Sequence, residues 1–181
     1  MMTDVDYPSL DDVKRRVIAS VCTLYRRDRE LLEVDVNERS ITHKLAEYLQ
    51  FEFPCWHVDC EYNRRGSEVK RLREIFSRSC RLDPANEEAI SVFPDIIVHR
   101  RRTNYNLLVI EVKKVAGRGD TRDVEKLKAF TQAPEYTYNY GLFLKIGPID
   151  DLELKLYEKG VESCDWSSDL QYALKELGYD A

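Results

Sequence analysis

No apolar run in this chain of 181 residues approaches the ~18–20 residues that a membrane-crossing helix requires, which excludes a helical membrane span. The N-terminus, Met1-Met2-Thr3-Asp4-Val5-Asp6, is acidic and lacks the basic-then-apolar order of a secretion signal. Its five cysteines (Cys22, Cys55, Cys60, Cys80, Cys164) are an odd set without CxxC spacing. That pattern argues against a disulfide framework or a zinc site and for reduced thiols in the cytoplasm. Internal repeats, low-complexity stretches and linkers are missing too. With the length of one typical unit, the expectation is a single domain over residues 1–181.

What is present is a hydrophobic fraction of 43% beside 34% charged residues, the balance of a globular protein with a proper core. The net charge of -5 is unevenly spread. Residues 64–118 carry 13 Lys/Arg against 7 Asp/Glu, whereas the segments on either side are acidic. The basic middle holds Arg64, Arg65, Lys70, Arg71, Arg73, Arg78, Arg81 and then Arg100, Arg101 and Arg102. A polyanion is the natural partner of such a stretch, because phosphate neutralisation supplies most non-specific affinity for nucleic acid. A solvated charged helix and a charged hairpin tip would give the same counts.

The chain reads as mixed α and β. Ser9 is an N-cap, with Asp11 and Asp12 in the first turn, for a helix to about Arg27 whose apolar positions are Leu10, Val13, Val17, Val21 and Leu24. A second helix spans about Asn37 to Phe51, with Pro54 just past its end. Residues 56–62 alternate as a half-buried strand, 68–80 fit a basic helix, and 83–92 fit a loop. Strands follow at about 94–100 and 106–113, then a helix capped by Asp120 or Thr121 and running through Leu127 and Phe130. Two more strands, near 139–146 and 152–158, flank the Gly147-Pro148 turn, and a short helix occupies about 167–177.

The two central runs carry the chemistry. Phe93-Pro94-Asp95-Ile96-Ile97-Val98-His99 opens on a Pro-Asp pair, and Leu107-Leu108-Val109-Ile110-Glu111-Val112-Lys113 closes on Glu-x-Lys. Side chains alternate faces along a strand, so Asp95, Ile97 and His99 share one side, as do Val109, Glu111 and Lys113. Both runs are apolar on both faces, the pattern of central strands covered twice. A lone buried carboxylate is costly, and a divalent cation shared by Asp95 and Glu111 would remove that cost. Magnesium suits two carboxylates, keeping waters and sharing phosphate oxygens; manganese is an alternative. Lys113 beside such a pair suits phosphodiester hydrolysis. His99 reads as a structural histidine. Glu61, on the side of the earlier strand that carries His57 and Asp59, would reach the acids if that strand neighbours the other two; a solvated face is the alternative.

The second helix offers a third acid. At 100° per residue, Glu38 lies about 60° from Ile41, on the side that Leu45 and Leu49 turn towards the sheet. An acid in the first turn also favours the helix dipole without any further role.

The order helix-Glu, Pro-Asp, Glu-x-Lys resembles the PD-(D/E)XK nuclease superfamily, whose core is that of type II restriction endonucleases. The strings Phe-Pro-Asp-Ile-Ile-Val-His-Arg-Arg and Asn-Leu-Leu-Val-Ile-Glu-Val-Lys-Lys look like a prokaryotic branch of it. The likeness covers about Asn37 to Ile146. It implies a restriction-endonuclease-like α/β core, a central mixed sheet flanked by helices. It further implies that Asp95 and Glu111 ligate the metal, that Glu38 does so directly or through water, and that Lys113 helps activate the attacking water. Gln132 and Tyr136 match a Gln-x-x-x-Tyr element of some members, although Pro134 between them disfavours a regular helix there.

The expectation is therefore a magnesium-dependent nuclease acting on nucleic acid, with DNA favoured over RNA by the likeness alone. Glu38, Asp95, Glu111 and Lys113 would form the catalytic set, with Arg64, Arg65, Lys70, Arg71, Arg73, Arg100, Arg101 and Gln132 contacting the polymer. The alternative is a catalytically silent module of the same fold that binds nucleic acid or a partner protein. A third option makes the charged middle an interaction surface in a homodimer.

Overall fold

The structure, a computed structural model, describes residues 7–34, 37–61, 93–115, 117, 120–132 and 138–179. The basic residues from Arg64 to Arg81, the expected helix at 68–80, the loop at 83–92, and Tyr136 lie outside the described residues. The architecture is α/β: a six-stranded mixed sheet with helices on both faces.

Helix α1 (Leu10–Glu33) starts where its sequence predicts, the Ser9 hydroxyl accepting the Asp12 amide at 3.2 Å. It continues past the expected end near Arg27, through a non-helical residue at Asp28 (φ -127°, ψ 32°). Two contacts carry the extra turn: the Tyr48 hydroxyl donates to the Asp28 carboxylate, and Leu31 and Leu32 pack against the core. Helix α2 (Glu38–Glu52) is capped by Asn37, whose side chain accepts the Arg39 amide. Strand β1 (His57–Cys60) is shorter than its alternation suggests, because Glu61 turns into the left-handed region (φ 43°) and ends it.

Strands β2 (Ile96–His99) and β3 (Asn106–Lys114) follow, then helix α3 (Asp120–Gln132) and β4 (Tyr140–Ile146). A short 3-10 turn (Ile149–Asp151) leads to β5 (Glu153–Glu158), β6 (Val161–Asp165) and helix α4 (Ser167–Glu176). The sheet keeps chain order from β1 to β6. β3 and β4 are parallel, as strands joined by a helical crossover can be, and the other neighbours are antiparallel.

Strand β6 has no counterpart in the sequence reading. Its residues are mostly polar and exposed, as an edge strand tolerates. The signal for it lies in the preceding turn. Glu158 pairs with Val161, so Lys159 and Gly160 form a two-residue loop, both with positive φ (50° and 81°). A Cβ on Gly160 would also stand 3.1 Å from the Gln132 side chain. Gly160→Ala should therefore cost about 1–2 kcal/mol from backbone strain, read as a lowered urea midpoint with an unchanged slope.

Two apolar layers hold the sheet. On one face Val13, Val17, Val21 and Leu24 of α1, Ile41, Leu45 and Leu49 of α2, and Leu170 and Leu174 of α4 bury Ile96, Val98, Leu108, Ile110 and Val112. On the other, α3 lays Leu127 and Phe130 over Ile97, Val109, Phe143 and Tyr157. Each central strand is thus covered twice. That second face carries the charged groups of interest, and α3 closes over them. Among the described residues no helix is long and apolar enough to cross a membrane.

Candidate functional site

The β2–β3 register builds the site. Ile96 pairs with Ile110 and Ile97 with Val109, so one step before the ladder begins Asp95 falls opposite Glu111. The Asp95 carboxylate accepts the Val112 amide at 2.7 Å, which ties it to β3. Glu111 lies in the middle of a nine-residue strand and is only 1% exposed. Glu38 arrives from the start of α2, accepting the Lys114 amide at 3.2 Å and lying 3.7 Å from the Lys113 ammonium. The helical projection of Glu38 towards the sheet is realised, and the four residues expected to act together gather at one end of β3.

Two further residues join them. Lys113 Nζ is 3.1 Å from Asp123 Oδ2, and Lys126 Nζ is 3.1 Å from Asp123 Oδ1 and 2.8 Å from Glu111 Oε2. Glu38, Lys113, Asp123, Lys126 and Glu111 therefore alternate in sign through the site, with Asp95 beside the last. Asp123 and Lys126 belong to no motif in the sequence, yet helical spacing points to them. Lys126 lies four residues before Phe130, and Asp123 seven before Phe130 and four before Leu127, which places both on the buried stripe of α3.

Burial dominates the electrostatics. It lifts the Glu111 carboxyl well above its usual range; the Lys126 charge opposes this, and the charges of Asp95 and Asp123 reinforce it. Asp95 is raised too, first by burial, against the pull of the Val112 amide and Lys126, with Glu38 and Asp123 pushing the same way as burial. Lys113 and Lys126 move in the direction that keeps them charged. Burial lowers both, but their carboxylate partners outweigh it. Lys113 is thus a persistent ammonium, suited to stabilising negative charge and unsuited to taking a proton.

The donors are hard oxygens, which fit magnesium or manganese better than zinc. Among the described residues Glu111 Oε1 is buried without a hydrogen-bond partner, an acceptor that a cation would satisfy. Among the described residues no three acidic, histidine or cysteine side chains stand close enough to form a ready cage. One or two carboxylates with retained waters is the way magnesium commonly binds, so the residues fit that ion.

Other candidates lie elsewhere. Arg100, Arg101 and Arg102 follow β2 at the end away from Asp95, about 16 Å along the strand by its rise per residue. Arg100 stacks on Trp56 at 5.2 Å, and Arg101 pairs with Asp59, so the structure gives both a structural partner and does not bring them to the acids. Gln132 sits nine residues beyond Asp123, about 13 Å along α3, against the β5–β6 turn. β1 does neighbour β2, and the Glu61 amide donates to the Asp95 carbonyl at 3.2 Å, but the Glu61 carboxylate pairs with Arg39 at 3.0 Å.

His99 is buried and its Nε2 lies 2.8 Å from Asp59 Oδ2, the structural setting its sequence suggests. Burial raises the Asp59 pKa, but the Arg101 and His99 hydrogen bonds more than offset it and the net shift is downward. A lowered folded-state value adds stability above the unfolded pKa and loses it as pH falls through the folded one. Asp59→Asn should therefore flatten the acid limb of the stability curve, below about pH 4. Urea melts between about pH 3 and 7 would show this as a smaller drop in the variant than in wild type.

No known family model matches the chain, and no curated protein is significantly similar to it.

Proposed function

We propose that this chain is a metal-dependent nuclease with a restriction-endonuclease-like core of the PD-(D/E)XK type, hydrolysing phosphodiester bonds of DNA. One observation carries the reading: Asp95 and Glu111 stand opposite each other across β2–β3, with Glu38 and Lys113 at the same strand end. Residues from three separate stretches of sequence converge there, and a folding role does not require it. Bound between Asp95 and Glu111, with Glu38 near, magnesium would supply an acidified water and charge neutralisation.

The chain's own groups do the rest. Asp95 is fixed by the Val112 amide, so its free oxygen is held in place. Lys113, anchored by Asp123 and Glu38, presents a permanent positive charge to the phosphate oxygen on which charge develops. Closure by α3 removes bulk water from one side of the acids and strengthens each of these interactions.

The test is cleavage of supercoiled, linear, branched and single-stranded DNA with magnesium or manganese, using Lys113→Ala to expose contaminating nuclease. Metal-dependent cutting that disappears in the variant is expected. Cutting by the variant at the wild-type rate, or none on any substrate, would overturn the reading. The competing reading, a silent module of this fold, draws on Lys126 already filling one oxygen of Glu111. It predicts DNA binding without metal-dependent turnover.

A further inference from the structure

Lys126 has no part in the proposed hydrolysis, although its ammonium reaches into the site from α3 and is 85% shielded from solvent. It touches the carboxylate that the proposed cation needs most, 2.8 Å from Glu111 Oε2, and is steadied by Asp123 at 3.1 Å. Among the described residues the second oxygen of Glu111 is buried without a hydrogen-bond partner. We propose that Lys126 is a resident counter-cation that competes with the divalent ion for Glu111, holding the acids together in the metal-free protein and lowering the affinity of the site for metal. This rests on the reading of Glu111 as a metal ligand.

The charge count supports it. Four carboxylates (Glu38, Asp95, Glu111, Asp123) face two ammonium groups (Lys113, Lys126). Without Lys126 the acids would be left with one cation, a heavy burden for groups this buried. With it, a divalent ion approaching Glu111 meets a positive charge a hydrogen bond away from its ligand. Lys113 is not equivalent, because its contacts are to Glu38 and Asp123 and not to Glu111. The four-carbon stem of lysine lets the ammonium withdraw, so the competition is reversible.

Calorimetric titration of manganese into the full chain, without DNA, reads the competition directly. Lys126→Gln keeps a hydrogen-bond donor and removes the charge, and it should bind manganese roughly tenfold more tightly or better. Adding Glu111→Gln to that variant should abolish the gain. Lys126→Arg keeps the charge and can engage both Glu111 oxygens, so it should bind more weakly than wild type; it also serves if the Gln variant fails to fold. Unchanged or weaker binding by a folded Lys126→Gln protein overturns the proposal, as does wild-type or tighter binding by Lys126→Arg, or no binding by any form. Cleavage plays no part in the measurement. A wild-type protein that cuts DNA while Lys126→Gln binds metal no better would sink this inference and leave the nuclease reading standing. Tighter binding without any cutting would do the reverse.

Discussion

Asp95→Asn should reduce metal-dependent DNA cleavage by on the order of a thousandfold while the fold persists. The choice of Asn follows from the geometry. Asp95 Oδ2 accepts the Val112 amide at 2.7 Å, and an amide oxygen can keep that bond. Alanine cannot, and the stranded amide would add about 1–3 kcal/mol of destabilisation to any loss of catalysis. The Asn variant removes one negative charge from the proposed metal pair and little else. Plasmid nicking over a magnesium series, with circular dichroism to check the fold, separates the two effects. A folded Asp95→Asn protein that cuts at the wild-type rate would remove Asp95 from the mechanism. Lys113→Ala tests a different element, since Lys113 touches Glu38 and Asp123 and, in the proposed mechanism, would meet the phosphate instead of the metal.

How much of this was legible in the sequence depends on which residues carry their own periodicity. The apolar runs around Asp95 and Glu111 dictated buried strands, and their pairing as an antiparallel neighbour pair puts the two acids face to face. Glu38 was legible because Ile41, Leu45 and Leu49 mark a helix side and it lies on that side. Asp123 and Lys126 obey the same geometry but are polar, so a stripe traced only through Leu127 and Phe130 stops short of them. The basic middle misled in another way. Composition places Arg100 and Arg101 near Glu111 in sequence, whereas an extended strand carries them away at about 3.3 Å per residue. Asp59 and Trp56, which engage them, come from a strand and loop some forty residues earlier, and nothing local foretells that pairing. Strand β6 was hidden because an exposed edge needs no apolar alternation, and its turn, Lys159-Gly160, shows only one of the usual residues.

Glu111→Gln should abolish cleavage by a similar factor and yet raise the melting temperature of the metal-free protein. Losing the 2.8 Å pair with Lys126 argues the other way, since breaking a buried ion pair usually costs about 3–5 kcal/mol. That cost arises when the surviving charge is left alone. Here Lys126 keeps Asp123 at 3.1 Å, and the site still holds three carboxylates for two ammonium groups. What the substitution removes is a carboxylate with one bare oxygen, pushed upward in pKa by burial and by Asp95 and Asp123, against Lys126. The sign follows from linkage. A carboxyl raised in the folded state contributes stability that is complete below its unfolded pKa and is lost as pH rises through the folded value. The variant should match wild type in acid and exceed it at higher pH, by about 2–4 °C if the relief is near 1 kcal/mol. Magnesium should reverse the order, because a cation that binds the native state stabilises only the protein that retains its ligand. Thermal melts across pH, with and without magnesium, read both halves. A variant less stable than wild type at every pH would mean that Lys126 and Glu111 form a structural ion pair and that Glu111 is not poised for a cation.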